Sequence, residues 1–551
     1  MTDHPSGLDT SGAENLARTT RQDTTRENEA NVCSEEHAPS SLDISVFIPA
    51  IVIALAAVVF LLFDREQAAL MSAQAMASVT ANWGWLFVVF GFGAFVFAMW
   101  LAFGRYSHVK LGRADEAPEF SELSWAAMMF SAGIGIGLVS WSFVEPIYYL
   151  STPPLGIEPH SSSAAEWGHM YALFHWSFVP WALYAVPSVA VAYALYVERS
   201  PFLRISQACS RVLKKQTNGV VGSLIDTLVI LGLIGGAGTS LGLGVPLVAA
   251  FVASLFGIPD TFWVQMGVLL VWTLMFGGSV YRGLKAGIRI LSDINVFLAI
   301  AIVLFVLCVG PTVYILSLTA NSFGLLMDNF MRMSFWLDPI DQGGFPDSWT
   351  LFYWAWWIAY APMMGLFFGR ISHGRTIRQL VLGVVIWGSL GCVSFLAVCG
   401  GYAIELELTG KLPVSTLLAE NGIPQTVVAI VGTLPFSGVV TLLFTLLSFV
   451  FLATTLDSAA YVLASVSTKN LRGEEEPARY NRLLWAVILA LVAVGLLYVD
   501  GLKIVQSSTI VTALPLISVL FLLFISLTRT LNEDFSARVN PKILSIDDKQ
   551  K

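Results

Sequence analysis

Ser131-Ala132-Gly133-Ile134-Gly135-Ile136-Gly137 sits in the middle of an apolar run from about residue 125 to 145. Glycines two residues apart do not make a helix-packing face, which needs a spacing near four. They loosen the helix instead and free backbone carbonyls halfway along it. In hydrocarbon such irregular backbone persists only where it lines a cavity or is buried in protein. A phosphate-binding loop is excluded, because no Lys-Ser or Lys-Thr follows the glycines. The stretch reads as a broken membrane helix, with Gly133, Gly135 and Gly137 as its flexible part, lining an ion or substrate path. Close helix packing alone is the bland alternative.

The surrounding sequence is built for lipid. Of its 551 residues, 56% are hydrophobic and only 12% charged, about half the charge of an average soluble domain. That composition excludes a soluble enzyme, a nucleic-acid binder and a disordered scaffold. The five cysteines are scattered and form no CxxC or His/Cys cluster, so no disulfide framework or zinc site is indicated. Residues 1–43 form a Ser/Thr/Glu-rich tail that reads as disordered. It has no basic region leading into a short apolar core, so a cleaved signal peptide is not expected.

Apolar runs long enough to cross about 30 Å of hydrocarbon recur twelve times. They fall near 44–63, 84–104, 125–145, 170–196, 222–254, 263–281, 290–316, 350–369, 379–403, 437–467, 483–499 and 508–528. With the N-terminus inside, 26 of the 30 Lys and Arg residues lie in cytoplasmic segments and four in outer loops, which is the positive-inside bias. The expected fold class is an all-α integral membrane protein of twelve transmembrane helices, both termini cytoplasmic. Its membrane domain covers 44–528, with a short cytoplasmic tail at 529–551. Between spans seven and eight, Asn321–Trp336 mixes Phe323, Leu325, Leu326, Phe330 and Met333 with polar residues. It reads as an amphipathic helix on the outer interface, the alternative being an ordinary loop.

Two more spans depart from plain Leu, Val, Ala and Phe. Span eight carries Tyr353-Trp354-Ala355-Trp356-Trp357-Ile358-Ala359-Tyr360, and span four adds Trp176, Trp181 and Tyr184. Interfacial belts collect Trp and Tyr, but three Trp in four residues exceeds what a belt needs. The two clusters together suit an aromatic cage whose ring faces hold a quaternary ammonium cation. Span ten carries Phe451-Leu452-Ala453-Thr454-Thr455-Leu456-Asp457-Ser458. Thr side chains often bond their own helix carbonyls. The sharper reading is a sodium site, in which the Thr454 and Thr455 hydroxyls join carbonyls of the broken span three.

Met129–Leu138, Phe352–Trp357 and Arg370-Ile371-Ser372-His373-Gly374-Arg375-Thr376-Ile377-Arg378 resemble signatures of the betaine/choline/carnitine transporter family, over roughly residues 44–530. The resemblance implies a leucine-transporter-type core of two five-helix inverted repeats preceded by two extra helices. Repeat one would cover about 125–316 and repeat two about 350–528, with the amphipathic helix between them at a subunit contact of a homotrimer. It implies that Trp176 and Tyr184 face Trp356, Trp357 and Tyr360 across the trimethylammonium group. Tyr360 stands where betaine carriers have Trp.

The family's sodium site maps onto carbonyls of Ser131, Ile134 and Phe451 and hydroxyls of Thr454 and Thr455. A second sodium position maps onto Leu233 and Ala237, which have no oxygen to offer. Met364 falls where sodium-independent exchangers carry a methionine in place of that second ion, while Val296 falls where they put an Arg in the first site. The expectation is Na⁺-coupled import of a methylated onium solute (glycine betaine, choline, carnitine or dimethylsulfoniopropionate) across a bacterial inner membrane. The alternatives are sodium-independent or proton-coupled exchange and, in a different class, a channel or sensor that reuses the fold. No nucleophile, paired carboxylates or metal cluster suggests an enzyme, and no cofactor beyond the coupling ion is expected.

Four further residues carry smaller expectations. Asp457 would fix helix geometry near the ion site, and Glu145 would lie in an outer vestibule. His175 would be a hydrogen-bonded packing residue, and Asp293 would pair with Arg289 or Arg375.

Overall fold

The computed structural model describes residues 40–132, 135–200, 204–282, 285–471, 475–499 and 502–539, with the side chains of 276, 279–293 and 535–539 left aside. One compact unit begins at Leu42, and its main elements are helices. They are α1 (Ile44–Phe63), α2 (Arg65–Phe103), α3 (Glu122–Ala132), α4 (Ile136–Ser151), α5 (Ser162–His175) and α6 (Phe178–Tyr196). After a region of short turns follow α7 (Val220–Phe256), α8 (Phe262–Arg282), α9 (Lys285–Val309), α10 (Thr312–Phe335), α11 (Leu351–Ile371) and α12 (Ile377–Phe395). The last are α13 (Gly401–Leu408), α14 (Val414–Gly432), α15 (Ser437–Val466), α16 (Arg479–Val499) and α17 (Leu502–Val539).

Among the described residues ten helices are long and apolar enough to cross a membrane, or up to twelve when each of two bent pairs is taken as one span. The protein is thus an all-helical, multi-pass membrane protein. Where helices begin, short polar side chains satisfy the first amides. Asp64 accepts from the Gln67 N–H at 3.0 Å and Ser161 from Ala164 at 3.1 Å. Thr376 and Gln379 form a reciprocal capping box at the start of α12.

The breaks matter more than the spans. The α3–α4 pair bends by 60° across the glycine stretch, and Ile294–Val309 meets Thr312–Phe335 at 109°. At the second bend Gly310-Pro311 ends α9, since proline cannot continue the amide ladder. A third break separates α5 from α6 at Trp176-Ser177. Pro180 there has no N–H for the Trp176 carbonyl four residues back. The indole N–H of Trp181 takes its place, donating to that carbonyl at 3.1 Å.

Several boundaries differ from expectation. The expected seventh span ran to 316 and the amphipathic helix began at 321, whereas the turn is at Gly310-Pro311 and α10 starts at Thr312. A hydrophobic run does not reveal that a Gly-Pro pair divides it. The α14 segment was expected to be outer loop, yet it is helical on both sides of Gly422, whose φ of 75° interrupts it. Helix α17 continues to Val539, past the expected end of the membrane domain at 528. The N-terminal tail to residue 39 and the final segment from 540 lie outside the described residues.

Close helix contacts use small residues. A side chain at Gly365 would begin 2.7 Å from Pro187, so α6 and α11 approach to backbone distance there. At the predicted cytoplasmic face, Arg204 bonds Asp43 at 2.8 Å and Asp226 at 3.4 Å, tying the start of α1 to α7. Burial pushes the Asp43 carboxyl up. The Ser45 hydroxyl, the Arg204 guanidinium and the Lys469 ammonium outweigh it and hold the group below the ordinary carboxylate value of 3.8.

A depressed folded-state value means stability that is complete above 3.8 and lost as pH falls through the lower value. Thermal melts of the detergent-solubilised protein between neutral pH and pH about 3 should therefore show acid destabilisation that Asp43→Asn reduces. Parallel curves for the two proteins would remove Asp43 from the account.

Candidate functional site

A cavity of about 490 Å³ lies where the broken α3–α4 pair meets α6, α7, α11 and α15. Five of the six expected cage residues line it: Trp176, Tyr184, Trp356, Trp357 and Tyr360. The Trp176 ring stands edge-on to Trp356 at 5.8 Å and to Trp357 at 5.6 Å, and Tyr184 lies 4.9 Å from Trp357. Edge-to-face contacts of this kind fix ring planes. The Tyr360 hydroxyl is held by Ser240 at 2.9 Å.

Trp181 is not on the cavity wall. It is fully buried, packs 5.3 Å behind Trp357 and pins the Trp176 carbonyl. Its work is to fix two residues that do face the cavity. The spacing in span four brought it into the cage reading because helix periodicity does not register the break at Trp176-Ser177.

The same cavity is bordered by Ser131, Gly135, Gly137, Thr454 and Thr455, together with Met364. Gly133 and Ile134 lie outside the described residues. Gly135 forms the extended turn before α4 and has no side chain to cap that helix. At Gly137 a β-carbon would sit 2.5 Å from the Trp356 ring, so glycine is what allows the cage wall to lie against the broken helix.

Thr454 and Thr455 both donate to the Phe451 carbonyl, at 2.9 and 2.8 Å. A hydroxyl that gives up its hydrogen in this way keeps its lone pairs for a hard cation. This donor chemistry fits Na⁺, although the Phe451 carbonyl itself is already an acceptor twice over. Leu233 and Ala237 are buried and bring no oxygen. Val296 is half-buried in α9.

The remaining ionisable groups resolve unevenly. Asp457 lines the cavity and pairs with Arg482 at 3.2 Å, so α15 and α16 are joined beside the Thr pair. Arg375 pairs with Glu122 at 2.6 Å and lies over the Trp125 ring at 4.1 Å. Its expected partner Asp293, like Arg289, has a side chain outside the described set. Arg378 donates to the Ala102 carbonyl at 2.9 Å, so the basic loop after α11 is structural as well as topological.

Glu145 is the largest departure. It is fully buried rather than in a vestibule. Its Oε2 accepts the Trp176 indole N–H at 2.8 Å and the Tyr353 hydroxyl at 2.7 Å. The signal in the sequence was an acidic residue within a membrane run, which by default points to function. Ser240 was missed because a lone serine in an apolar helix carries no such signal.

If the contact at Gly137 sets the cage, Gly137→Ala should displace Trp356 at a cost of about 1–3 kcal/mol. Tryptophan-fluorescence titration with an onium ligand should then show at least about a fivefold weaker Kd. An unchanged Kd in a protein of unchanged Tm would mean that the ring yields freely.

Among known families, the model of BCCT, described as betaine/carnitine/choline family transporter, matches residues 45–536 of this chain.

Proposed function

The chain belongs to the betaine/carnitine/choline transporter family, and from that premise we propose that it imports a methylated onium solute by Na⁺-coupled alternating access. Members of this family are secondary transporters of betaine, choline or carnitine-type solutes, so the chain is a transporter rather than an enzyme. The observation that carries the finer reading is one cavity with two chemistries. Aromatic faces from Trp176, Tyr184, Trp356, Trp357 and Tyr360 border it together with the Thr454 and Thr455 hydroxyls.

The aromatic side suits a cation too large and too weakly hydrated to need hydrogen bonds. Trimethylammonium and dimethylsulfonium groups have that character, and each desolvated ring contact contributes about 0.5–2 kcal/mol. The hydroxyl side suits a small hard cation. Ser131, Ile134 and Phe451 would contribute carbonyls and Thr454 and Thr455 hydroxyls, and the bound Na⁺ would supply a positive charge that links α15 to the broken helix. Solute and ion would then favour the same arrangement of α3–α4 against α11 and α15, which is the thermodynamic content of coupling.

The arrangement proposed around this site is two inverted five-helix repeats after two leading helices, a design in which solutes bind beside discontinuous helices near mid-membrane. The breaks between Ala132 and Ile136 and at Trp176-Ser177 support it. Charge distribution supports cytoplasmic termini in a bacterial-type inner membrane. Phe323, Met327, Met331 and Phe335 of α10 remain exposed, and this apolar set supports a contact between copies in a trimer.

A second reading, sodium-independent exchange, is favoured by Met364, which lines the cavity at the position where such exchangers carry methionine. Uptake of labelled glycine betaine into proteoliposomes separates the two. Symport gives accumulation only under an inward Na⁺ gradient. Exchange gives equal uptake in K⁺ and requires an onium compound preloaded inside. Competition by choline, carnitine and dimethylsulfoniopropionate identifies the preferred solute.

Trp356→Ala and Trp357→Ala should each weaken onium binding by at least about 1 kcal/mol. Unchanged affinity in both would eliminate the cage. Thr454→Ala combined with Thr455→Ala should abolish sodium stimulation of uptake, and sodium dependence that survives in the double variant would put the ion elsewhere.

A further inference from the structure

Trp176 differs from the other tryptophans of the cage in what lies behind it. Its indole N–H ends on a carboxyl oxygen of Glu145 at 2.8 Å. The indole nitrogens of Trp356 and Trp357 have no hydrogen-bond partner among the described residues. Glu145 itself is fully buried and does not line the cavity. Trp176 therefore stands between the carboxyl group and whatever occupies the cage.

The donors around Glu145 define its chemistry. Oε2 accepts from Trp176 and from the Tyr353 hydroxyl, and Oε1 accepts from the Tyr149 hydroxyl at 2.7 Å. His175 Nδ1 lies 3.3 Å from Oε1 and 2.9 Å from the Tyr149 hydroxyl, and its other nitrogen meets the Thr350 hydroxyl at 3.1 Å. Both carboxyl oxygens thus face hydroxyl or indole donors, partners that a carboxylate can use. Among the described residues its ion-pair contact is the buried His175 imidazole at 3.3 Å, and no Lys or Arg lies within that distance. A buried negative charge without a strong cation is costly, and packing alone does not call for one here.

We propose that Glu145 is a positioning residue for cation recognition, which acts through Trp176. Its charge, transmitted along the indole N–H, makes the Trp176 ring the most electron-rich wall of the cage. A charge-assisted hydrogen bond polarises its donor, and attraction between a ring face and a cation grows with the electron density of that face. The same bond, with the Tyr353 contact 5.6 Å from Trp176, holds the indole in one orientation. The solute class that gains is the permanently charged onium, as distinct from an uncharged molecule of the same shape. This inference rests on the aromatic-cage reading above.

The test compares wild type and Glu145→Gln, each full-length in detergent, by titration with glycine betaine and choline. Each ligand is paired with its tert-butyl analogue, in which carbon replaces the ammonium nitrogen. Glutamine keeps an oxygen for the indole N–H and removes the charge. In wild type the onium ligands should bind more tightly than their analogues. In Glu145→Gln that preference should fall by roughly tenfold, through weaker onium binding, while the affinity for the analogues stays the same.

An unchanged preference overturns the inference, and so does an equal loss for onium and analogue, which is what a purely structural role predicts. Absence of any preference in wild type refutes the cage reading instead. If Glu145→Gln binds neither ligand, Trp176→Phe decides, since it keeps a ring and loses the N–H. A wild-type preference in that variant overturns the inference.

Discussion

A backbone carbonyl without an amide partner is hard to accommodate in hydrocarbon, and the architecture of this protein follows from where it tolerates that situation. The breaks fall between Ala132 and Ile136, at Trp176-Ser177 and at Gly310-Pro311. Two of them border the cavity. At Trp176 the freed carbonyl is taken by the Trp181 indole, so the residue that bends the chain is also held by a ring packed behind the cage. Bending a helix here and exposing a ligand surface are one structural act.

Rigidity around these breaks comes from packing rather than from regular hydrogen bonding. The cage rings meet edge to face, Trp356 lies against Gly137, and Gly365 lets α11 rest on Pro187. Each contact depends on a missing side chain opposite a large one. Densely packed interiors of this kind change between discrete arrangements rather than deforming continuously. That property suits a site formed by helices which must rearrange during transport.

Much of this was legible in residues. Glycines at spacing two announced the broken helix, and Trp/Tyr clusters in two separate spans announced rings that converge on one cavity. Both signals are local, and both contradict the surrounding lipid-facing pattern. What escaped was set by three-dimensional contact. The role of Trp181 as a support depends on a proline one residue before it. The partnership of Glu145 with Trp176, 31 residues away, depends on how α4 packs against α5, which Trp176 caps. The Gly310-Pro311 corner was visible as residues but not as a turn, because hydropathy averages across it. Likewise α14 is interrupted at Gly422, which made two short helices resemble a loop.

Carboxyl groups near the cavity join elements, whether or not they also face it. Asp457 joins α15 to α16 through Arg482, and Arg375 joins the turn after α11 to the start of α3 through Glu122. Glu145 makes its bonds behind the cavity, to Tyr149, Tyr353 and the cavity-lining Trp176. Arg375 is fully buried and Arg482 nearly so, so breaking either pair would strand a charge away from water. A carboxylate enclosed by Tyr149, Tyr353 and Trp176 cannot separate from its donors without a large penalty. The two Arg pairs and the Glu145 cluster thus resist separation for the same reason, and each fastens its elements together. The Trp176 wall of the cavity is therefore held from two sides, by the Glu145 carboxyl behind it and by the edges of Trp356 and Trp357 beside it.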